Sequence, residues 1–452
     1  MVFAIALIVL VVGTVLFHIL SPWYFTPIAS NWEMMDETVS LTFWVTGTVF
    51  VLVNLFLAYA VIRYRHRKGQ NQKAQYEPEN KKLEWWLTAI TSVGIAAMLA
   101  PGLNVWARFV TVPEGTPVVE VVGQQWSWSY RFPGKDGQLG ATDVKQISID
   151  NPFGMDPKDA KGQDDVLVLN PELHLPIGKP VKMELRAKDV NHQFAVPQFR
   201  VKMDMVPGMV TFFWFTPTKT GAYDALCEQL CGMAHFAMRG RVIVDEQAQF
   251  EEWLAKYPTY GQTLTQAKGD VAAGQALYAV CSSCHGAQAE GNKDLGAPKL
   301  SGQGAWYLTR QLRDFKNGVR GTDEQDTYGK QMAPFAATLA DDVAVRNVVA
   351  YIASLPEVRP EATVHGDPEK GKKLYATCTV CHGAKGEGNW GANAPRLSNM
   401  SDWYTVRQVQ NFRSGVRGSH RQDFHGAQMA AMAKALADDQ AINDLIDYVH
   451  TL

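Results

Sequence analysis

The chain of 452 residues has no excess of charge of either sign, since 43 Lys and Arg face 45 Asp and Glu and the formal net charge is −2. A nucleic-acid-binding protein normally has a basic surplus on one face, so this class is excluded. Six cysteines are too few for a disulfide framework at this length. Because 46% of the residues are hydrophobic, a wholly disordered chain is also excluded. The length indicates roughly two to four domains.

Three apolar stretches near the N-terminus are long enough to cross a bilayer, which takes about 20 helical residues. They cover residues 2–20, 39–62 and 83–106. The second and third predict a transmembrane helical hairpin within residues 38–108. The first predicts an extra transmembrane helix or signal anchor within residues 1–22. A cleaved signal peptide is the alternative, although the run has no basic residue before it and no clear small-residue cleavage site after it.

The segment between the second and third stretches is strongly basic and predicts the orientation of the chain. Basic loops stay in the cytoplasm, so everything after residue 106 is predicted to be extracytoplasmic. Covalent attachment of haem takes place in the same compartment. The charged residues of the segment are Arg63, Arg65, Arg67, Lys68, Lys73, Lys81 and Lys82, with Glu77 and Glu79.

Residues 109–246 form a region of short β-branched and aromatic runs separated by Pro, Gly and Asn. This pattern is typical of a β-sandwich or barrel, because each run is long enough for one strand and the separators favour turns. We therefore predict an all-β domain after the membrane segments.

The rest of the chain is a duplication. An offset of 97 positions carries Cys281 onto Cys378 without any insertion, and the aromatic and methionine positions that follow are carried over in the same way. Helical patterns lie at both ends of each copy. Two all-α domains are predicted, at residues 268–356 and 366–452.

Each repeat contains a C-x-x-C-H motif. Two thiols one helical turn apart can bind the two vinyl groups of a haem, and the next imidazole then binds the iron. A redox dithiol, half of a zinc site and disulfides are the alternatives, but two copies at matching positions favour haem. We predict two covalently bound haems c, held by Cys281, Cys284, His285, Cys378, Cys381 and His382.

A methionine is the predicted second axial ligand in each repeat. The first repeat has no histidine outside its motif and only one methionine, Met332, which is assigned by elimination. Its surroundings resemble the methionine loop of class I cytochromes c. Met429 is the equivalent in the second repeat, where His420 and His425 are rivals. A thioether ligand raises the reduction potential of haem iron.

A second cluster of soft ligands lies near the end of the β-rich region. The run from Cys227 to Met238 has the form C-x-x-x-C-x-x-x-H-x-x-M, and His192 lies upstream. Two thiolates, two imidazoles and a thioether suit copper. Two Cys and two His alone would equally fit a structural zinc site. The methionine after His235 and the β-rich surroundings favour copper.

Residues of about 38–245 resemble subunit II of the haem-copper cytochrome c oxidases, on the cysteine loop, residues 125–130, residues 189–197 and residues 202–208. The resemblance implies a helical hairpin and a Greek-key cupredoxin domain with a binuclear CuA centre. Both cysteines would bridge two coppers, each histidine would bind one copper, and a methionine would be a weak ligand. The implied ligands are His192, Cys227, the carbonyl of Gln229, Cys231, His235 and Met238. Gln229 replaces a glutamate that also binds magnesium in many members, which leaves magnesium binding open.

The resemblance implies roles for two further residues. Trp126 matches the aromatic residue at which electrons enter CuA from an external cytochrome, and a core aromatic is the alternative. Glu84 matches an acid near the entrance of a proton path, and an ordinary acid at a helix start is the alternative. The two C-terminal units resemble cytochrome c domains fused to subunit II in some bacterial oxidases. The extra N-terminal helix departs from the usual two-helix plan.

The resemblance implies the electron-entry subunit of a terminal respiratory oxidase. It would lie in a bacterial inner membrane, with the cupredoxin and cytochrome domains in the periplasm. Cytochrome c or a quinol-oxidising complex would supply electrons, which pass through both haems and CuA to subunit I, with subunit III as a further partner. Oxygen reduction belongs to a partner because this chain lacks the histidine-rich membrane bundle that it needs. The alternatives are the same subunit of a CuA-containing nitric oxide reductase and a stand-alone membrane-anchored electron carrier.

Overall fold

The computed structural model describes residues 1–21, 26–66, 76, 78–266 and 268–452. Three long helices are followed by a β domain and then by two helical units. The N-terminal helices are α1 (Val2–Leu20), α2 (Glu33–Tyr64) and α3 (Lys81–Val110). The strands are β1 (Val118–Gln124), β2 (Ser127–Phe132), β3 (Val166–Val168), β4 (Glu172–Pro176), β5 (Val181–Ala187), β6 (His192–Val196), β7 (Val201–Met205), β8 (Thr211–Phe215), β9 (Gly221–Cys227) and β10 (Arg239–Asp245).

Ten further helices follow the strands in the described part of the chain. Two of them, α4 (Gln247–Leu254) and α5 (Tyr260–Thr265), pack against the β domain, where Trp253 and Tyr260 join its buried core. The first cytochrome-like unit, called the first unit, comprises α6 (Val271–His285), α7 (Ala305–Lys316), α8 (Thr327–Ala337) and α9 (Asp342–Ser354). The second unit comprises α10 (Pro368–His382), α11 (Asp402–Ser414), α12 (Phe424–Ala433) and α13 (Asp439–Thr451).

Helices α1, α2 and α3 are each long and apolar enough to cross a membrane. Only Ala4, Val11 and Ala58 are buried among their residues, as a surface that faces lipid requires. Helix α2 begins six residues before the predicted apolar run, and Glu33 and Asp36 in its first turn suit the positive end of the helix dipole. Helix α3 begins where the Asn80 side chain accepts a hydrogen bond from the amide of Leu83 at 3.1 Å.

The start of α2 and the end of α3 both lie against the β domain. The Arg200 guanidinium donates to both oxygens of Asp36, at 2.6 and 2.8 Å. Trp32 packs against Phe109 and Trp214, and its indole donates to the carbonyl of Trp214 at 2.9 Å. The end of α2 and the start of α3, which flank the basic segment and carry Arg63, Lys81 and Lys82, therefore lie at the opposite end of the hairpin from the β domain. Arg67, Lys68, Lys73 and Glu77 of that segment lie outside the described residues.

The β domain consists of two five-stranded sheets, with strand orders β3-β2-β1-β5-β8 and β4-β10-β9-β6-β7. Pairs β1–β5 and β4–β10 are parallel and the other pairs are antiparallel. Trp128, Tyr130, Phe194 and Phe213 are fully buried between the sheets. The apolar runs at residues 117–122, 126–132, 166–169, 181–185, 210–215 and 239–244 correspond to β1, β2, β3, β5, β8 and β10. The structure adds β4, β6, β7 and β9.

A buried charge cluster supports one side of the β domain. Arg131 donates to Glu120 at 2.8 Å and to Asp165 at 2.7 Å, and all three side chains are nearly inaccessible. Burial raises the pKa of Glu120, but Arg131 and Arg186 more than offset this, so the pKa is lowered. The cluster keeps its charges because each has an opposite partner.

Arg131→Leu is expected to lower the free energy of unfolding of the β domain by about 3–5 kcal/mol, because it leaves buried carboxylates without their main partner. Denaturant unfolding of the purified protein, followed by tryptophan fluorescence, measures the loss. The control is Lys182→Ala, which breaks the partly exposed pair with Glu184 and should cost less than about 1 kcal/mol. Equal losses in the two variants would contradict this view of the cluster.

Each cytochrome-like unit is built on a close crossing of its first and last helices. In the first unit, a Cβ added at Gly274 would lie 2.0 Å from the carbonyl oxygen of Asn347, and in the second a Cβ at Gly371 would lie 1.9 Å from that of Asp444. Only glycine permits this approach, so the two glycines fix α6 against α9 and α10 against α13. The repeat is thus preserved in the packing as well as in the motifs.

Candidate copper and haem centres

The predicted copper ligands lie at one end of the second sheet. His192 is the first residue of β6 and Cys227 the last of β9, and the pairing of Phe194 with Cys227 brings these strand ends together. Residues 227–238, called the copper loop, then pass through a short 3-10 helix, His235–Ala237, into β10. Backbone pairing therefore positions the first histidine against the loop that supplies the other ligands.

All six predicted ligands converge. Around Cys227, its Sγ lies 3.9 Å from His192 Nδ1 and 3.2 Å from the carbonyl oxygen of Gln229. Around Cys231, its Sγ lies 3.5 Å from His235 Nδ1 and 3.7 Å from Met238 Sδ. The two sulfurs are 3.7 Å apart, far beyond the roughly 2.05 Å of a disulfide. The ligands thus form two sets, one around each of two adjacent cysteine sulfurs.

The surroundings of the copper loop hold its ligands in position. His192 Nε2 contacts the carboxylate of Asp189 at 2.8 Å, which leaves Nδ1 facing the Cys227 sulfur. Burial raises the pKa of Asp189, but hydrogen bonds from His192 and from the amides of Gln125 and Val190 together more than offset it, and the pKa is lowered. Interaction between the thiols lowers the pKa of Cys227 and raises that of Cys231. A buried set of two thiols, two imidazoles and a thioether fits copper.

Trp126 lies directly beside the copper loop and is 3% exposed. Its indole donates to the carbonyl of Cys231 at 3.1 Å, and the Gln125 side chain donates to the same oxygen at 2.8 Å. Gly232 has φ +116, and a Cβ there would lie 2.8 Å from the Gln125 amide nitrogen. The predicted electron-entry residue is therefore both a core aromatic and a hydrogen-bond donor to a predicted bridging cysteine.

The first unit encloses an apolar cavity that fits a haem. Cys281, Cys284 and His285 line one side of it, and Met332 lines it as well. The remaining lining is largely apolar, as a porphyrin requires, and includes Leu295, Leu300, Leu308, Leu312 and Phe335. Residues of the second unit, Met400, Tyr404, Arg407 and Gln408, also line this cavity. The donor set and the lining therefore suit covalent haem c.

The motif histidines are held in the same way in both units. His285 Nδ1 donates to the carbonyl of Pro298 at 2.8 Å, and His382 Nδ1 donates to that of Pro395 at 2.8 Å. Burial lowers the pKa of both imidazoles, which favours the neutral ring. The carbonyl fixes the tautomer and leaves Nε2 available for iron. The prolines follow their motifs at the same distance in the sequence, a signal that the sequence analysis overlooked.

The predicted methionine ligands lie in helices rather than in open loops. Met332 is in α8 and Met429 in α12. Asp326 caps α8 by accepting from the amide of Gly329 at 3.0 Å, which starts a helix through the methionine. His425 lies one turn before Met429, and burial lowers its pKa to about 3, while the ring nitrogen of His420 accepts from the amide of Gln422. The choice of Met429 over these rivals stays a prediction.

Glu84 lies in the first turn of α3 and is exposed. Its Oε1 accepts from the amide of Asn80 at 3.3 Å, a capping contact that completes the start of the helix. This position is at the end of the hairpin away from the β domain. The role of Glu84 in a proton path stays a prediction.

A polar network at the interface of the two units was missed by the sequence analysis. Arg320 donates to Gln311 at 2.5 Å and to Gln408 at 3.0 Å. Arg417 donates to Gln408 at 2.7 Å and to Gln311 at 3.1 Å. The two arginines and the two glutamines are each related by the offset of 97 positions. The interface therefore relates the two units by an internal twofold axis. In the sequence, this interface is indicated by the same arginine and glutamine at matching positions of both repeats.

Comparison with known proteins identifies both parts of the chain. The family model for the periplasmic domain of cytochrome c oxidase subunit II matches residues 117–246, and the cytochrome c model matches residues 271–356 and 368–452. The alternative cytochrome c oxidase subunit 2 of Bradyrhizobium diazoefficiens is 56% identical over 257 residues, which cover 57% of this chain and 92% of the relative. The cytochrome c oxidase subunit 2 of Cereibacter sphaeroides is 27% identical over 245 residues, covering 51% of this chain and 77% of the relative.

Among solved structures, the periplasmic domain of oxidase subunit II from Bradyrhizobium japonicum is 28% identical, with a TM-score of 0.24, and covers 32% of this chain and 96% of that one. Reduced cytochrome c4 from Pseudomonas stutzeri is 29% identical, with a TM-score of 0.33, and covers 41% and 99%. The family matches and the 56% identical relative confirm the predicted fold class, with apolar N-terminal helices, a cupredoxin-like β domain and cytochrome c domains. The chain belongs to the cytochrome c oxidase subunit II family, carries fused cytochrome c domains, and is the electron-entry subunit of a haem-copper oxidase complex.

Proposed function

We propose that this chain passes electrons one at a time from a donor, through two covalently bound haems c and a binuclear CuA centre, to the oxygen-reducing subunit I. The donor is a c-type cytochrome or a quinol-oxidising complex, and subunit III completes the assembly. The complex lies in a bacterial inner membrane, with the β domain and both cytochrome units in the periplasm. Covalent linkage of the carriers gives a high effective concentration, so electron transfer does not wait for a diffusional encounter at each step.

The convergence of the six predicted copper ligands, five in the copper loop and His192 on β6, carries this proposal. A single tetrahedral zinc ion would bring both cysteine sulfurs and both imidazole nitrogens within about 4 Å of one another. Here the ligand atoms of His192, Cys227 and Cys231 lie within 4.8 Å of one another, whereas His235, which approaches the Cys231 sulfur at 3.5 Å, lies outside that group. That arrangement suits two metal atoms bridged by both thiolates. Copper supplies reversible one-electron chemistry at such a site, and the chain supplies buried, preorientated ligands.

Apolar side chains around the copper loop support an exit toward a partner subunit. Leu230 is 77% exposed, and Met233 and Phe236 are exposed as well. Met209 and Val210 follow β7, whose last residue pairs with His192, so they lie at the same end of the sheet and are also exposed. Exposed apolar residues around a buried redox site favour a protein interface, and we propose that subunit I covers them.

Metal and haem analysis of the complex purified from native membranes tests the cofactor content. We expect two coppers in this chain, in addition to any copper of the partner subunit, and two haems that remain attached on denaturing gels. Chelation that removes the copper pair is expected to stop oxygen uptake while both haems remain reducible by the donor. Zinc in place of copper at Cys227 and Cys231, or fewer than two attached haems, would contradict the proposal.

The same preparation tests the electron acceptor and the partner. Oxygen uptake with a reduced cytochrome c as donor, together with copurification of a large membrane subunit, is the expected result. Consumption of nitric oxide without oxygen uptake would identify a nitric oxide reductase subunit instead. A chain that purifies from native membranes without any large membrane subunit would be a stand-alone carrier.

A further inference from the structure

The second cytochrome unit lies directly against the copper loop. Helix α12, which carries Met429, packs on the 3-10 helix that contains His235. The side-chain amide of Gln428 donates to the carbonyl of Trp126 and, at 3.4 Å, to that of Ala237. Gln428, which precedes the predicted axial ligand Met429, therefore contacts Trp126 and the residue that precedes the predicted copper ligand Met238.

Two more contacts extend this interface. The Gln124 side chain, at the end of β1, donates to the carbonyl of Gly391 in the second unit. Cys381, one of the predicted haem-binding cysteines, packs against the hydrophobic core of the β domain. The haem-binding face of the second unit is thus turned toward the copper domain.

The first unit docks on the second unit. Across the described residues, each side-chain hydrogen bond between the β domain and a cytochrome unit involves the second unit. The first unit instead docks through matched pairs. Arg310 donates to the carbonyl of Asn393 at 3.2 Å, and Arg407, its repeat equivalent, donates to that of Gly296 at 2.6 Å.

Because this interface joins equivalent faces of the two units, it brings their haem-binding sides together. Tyr404, Arg407 and Gln408 of the second unit line the cavity that contains Cys281 and Met332. An electron held in the first unit therefore meets the second unit next. Among the described residues, it is the second unit whose side chains hydrogen-bond beside the copper loop. The first unit, the second unit and the copper loop thus follow one another in space.

We propose that the second unit is the immediate electron donor to the copper pair, and that external donors reduce the first unit rather than the face at Trp126. This order rests on the proposed function. In each transfer, the haem of the second unit would give one electron to the copper pair. The haem iron would be oxidised and the copper pair reduced by that one electron, with no proton or covalent bond exchanged. The iron is then reduced again by an electron from the first unit, which a reduced one-electron carrier protein replenishes. The fused second unit occupies the surface that a soluble carrier would otherwise use.

Gln428→Glu in the full complex tests this order, since a carboxylate would face the carbonyl oxygens of Trp126 and Ala237 and separate the two surfaces. The matched control is Gln331→Glu, which makes the same change at the equivalent position of the first unit. The reduced complex is mixed with oxygen, and absorbance of the copper pair follows its oxidation and its reduction again by haem. We expect this reduction to slow about tenfold or more in Gln428→Glu, because the transfer depends on close positioning, and to keep its normal rate in Gln331→Glu.

Gln124→Ala, which removes the second contact, is expected to slow the same step and guards against misfolding as the cause in Gln428→Glu. The copper and haem spectra of each variant show whether the centres are intact. If they are intact, slowing by Gln331→Glu alone, equal slowing by both glutamate variants, or no slowing by any variant would overturn the order. Absence of the copper pair or of a haem from the unmodified complex would instead overturn the proposed function itself.

Discussion

Replacing Cys227 by serine is expected to remove the copper pair and to reduce oxygen uptake by at least about 100-fold, since a bridging ligand is worth more than the surrounding contacts. Cys227 Sγ is the atom that His192 and the carbonyl of Gln229 approach, so its loss opens one metal position completely. Both haems should still attach, because their motifs lie in separate helical units. Copper analysis, haem staining and oxygen uptake of the purified complex measure the three effects.

The matched control for this variant is Gln229→Ala. The side chain of Gln229 is exposed, and only its main-chain oxygen approaches the cysteine. Copper content and oxygen uptake should therefore stay close to normal. Retention of both coppers in Cys227→Ser, or loss of copper in Gln229→Ala, would show that the site is built differently.

Replacing Cys378 and Cys381 together by alanine is expected to leave one attached haem and to reduce oxidation of the external donor by at least about 100-fold. The second unit is the only cytochrome unit that contacts the β domain by hydrogen bonds in the described structure. Without its haem, electrons from the first unit lose the high effective concentration that the fused carriers provide. Haem staining and the steady-state rate of oxidation of a reduced cytochrome c measure the two effects, since the first haem can still accept one electron from the donor.

The control is the equivalent pair, Cys281→Ala with Cys284→Ala, which should also leave one haem. In this control a small diffusible reductant should still deliver electrons to copper through the second unit. In the variant of the second unit, the same reductant should leave the first haem reduced while the copper pair stays oxidised during the first turnovers. Rapid reduction of copper by the first unit in the absence of the second haem would contradict the serial arrangement.

The parts of the site that sequence could predict are those encoded by close spacing. The C-x-x-C-H motifs and the run from Cys227 to Met238 place their ligands within a few residues of each other, so local geometry brings them together. The lengths of the hydrophobic runs predicted α1, α2 and α3, because a membrane-spanning helix is one continuous stretch of sequence. A polar first turn places the start of α2 earlier, at Glu33.

The arrangement of the units depends on contacts that no local pattern reveals. Gln428 and Trp126 are separated by 302 positions, and either would pass as an ordinary surface or core residue. The Arg320 and Gln408 contact spans 88 positions and forms only after both repeats have folded. The helical setting of Met332 was also hidden, because the cap by Asp326 decides it. The order in which the two cytochrome units lie relative to the copper loop could therefore be inferred from the folded structure and not from the sequence.

Electron paramagnetic resonance of the oxidised complex tests the central claim most directly. If Cys227 and Cys231 bridge two coppers, one unpaired electron is shared equally by both, and the spectrum should show hyperfine splitting from two equivalent copper nuclei with one spin per pair. Magnetic interaction with the ferric haem of the adjoining second unit should speed relaxation of that signal. A spectrum of a single isolated copper, or no copper signal because the sulfurs are joined or hold zinc, would contradict the account.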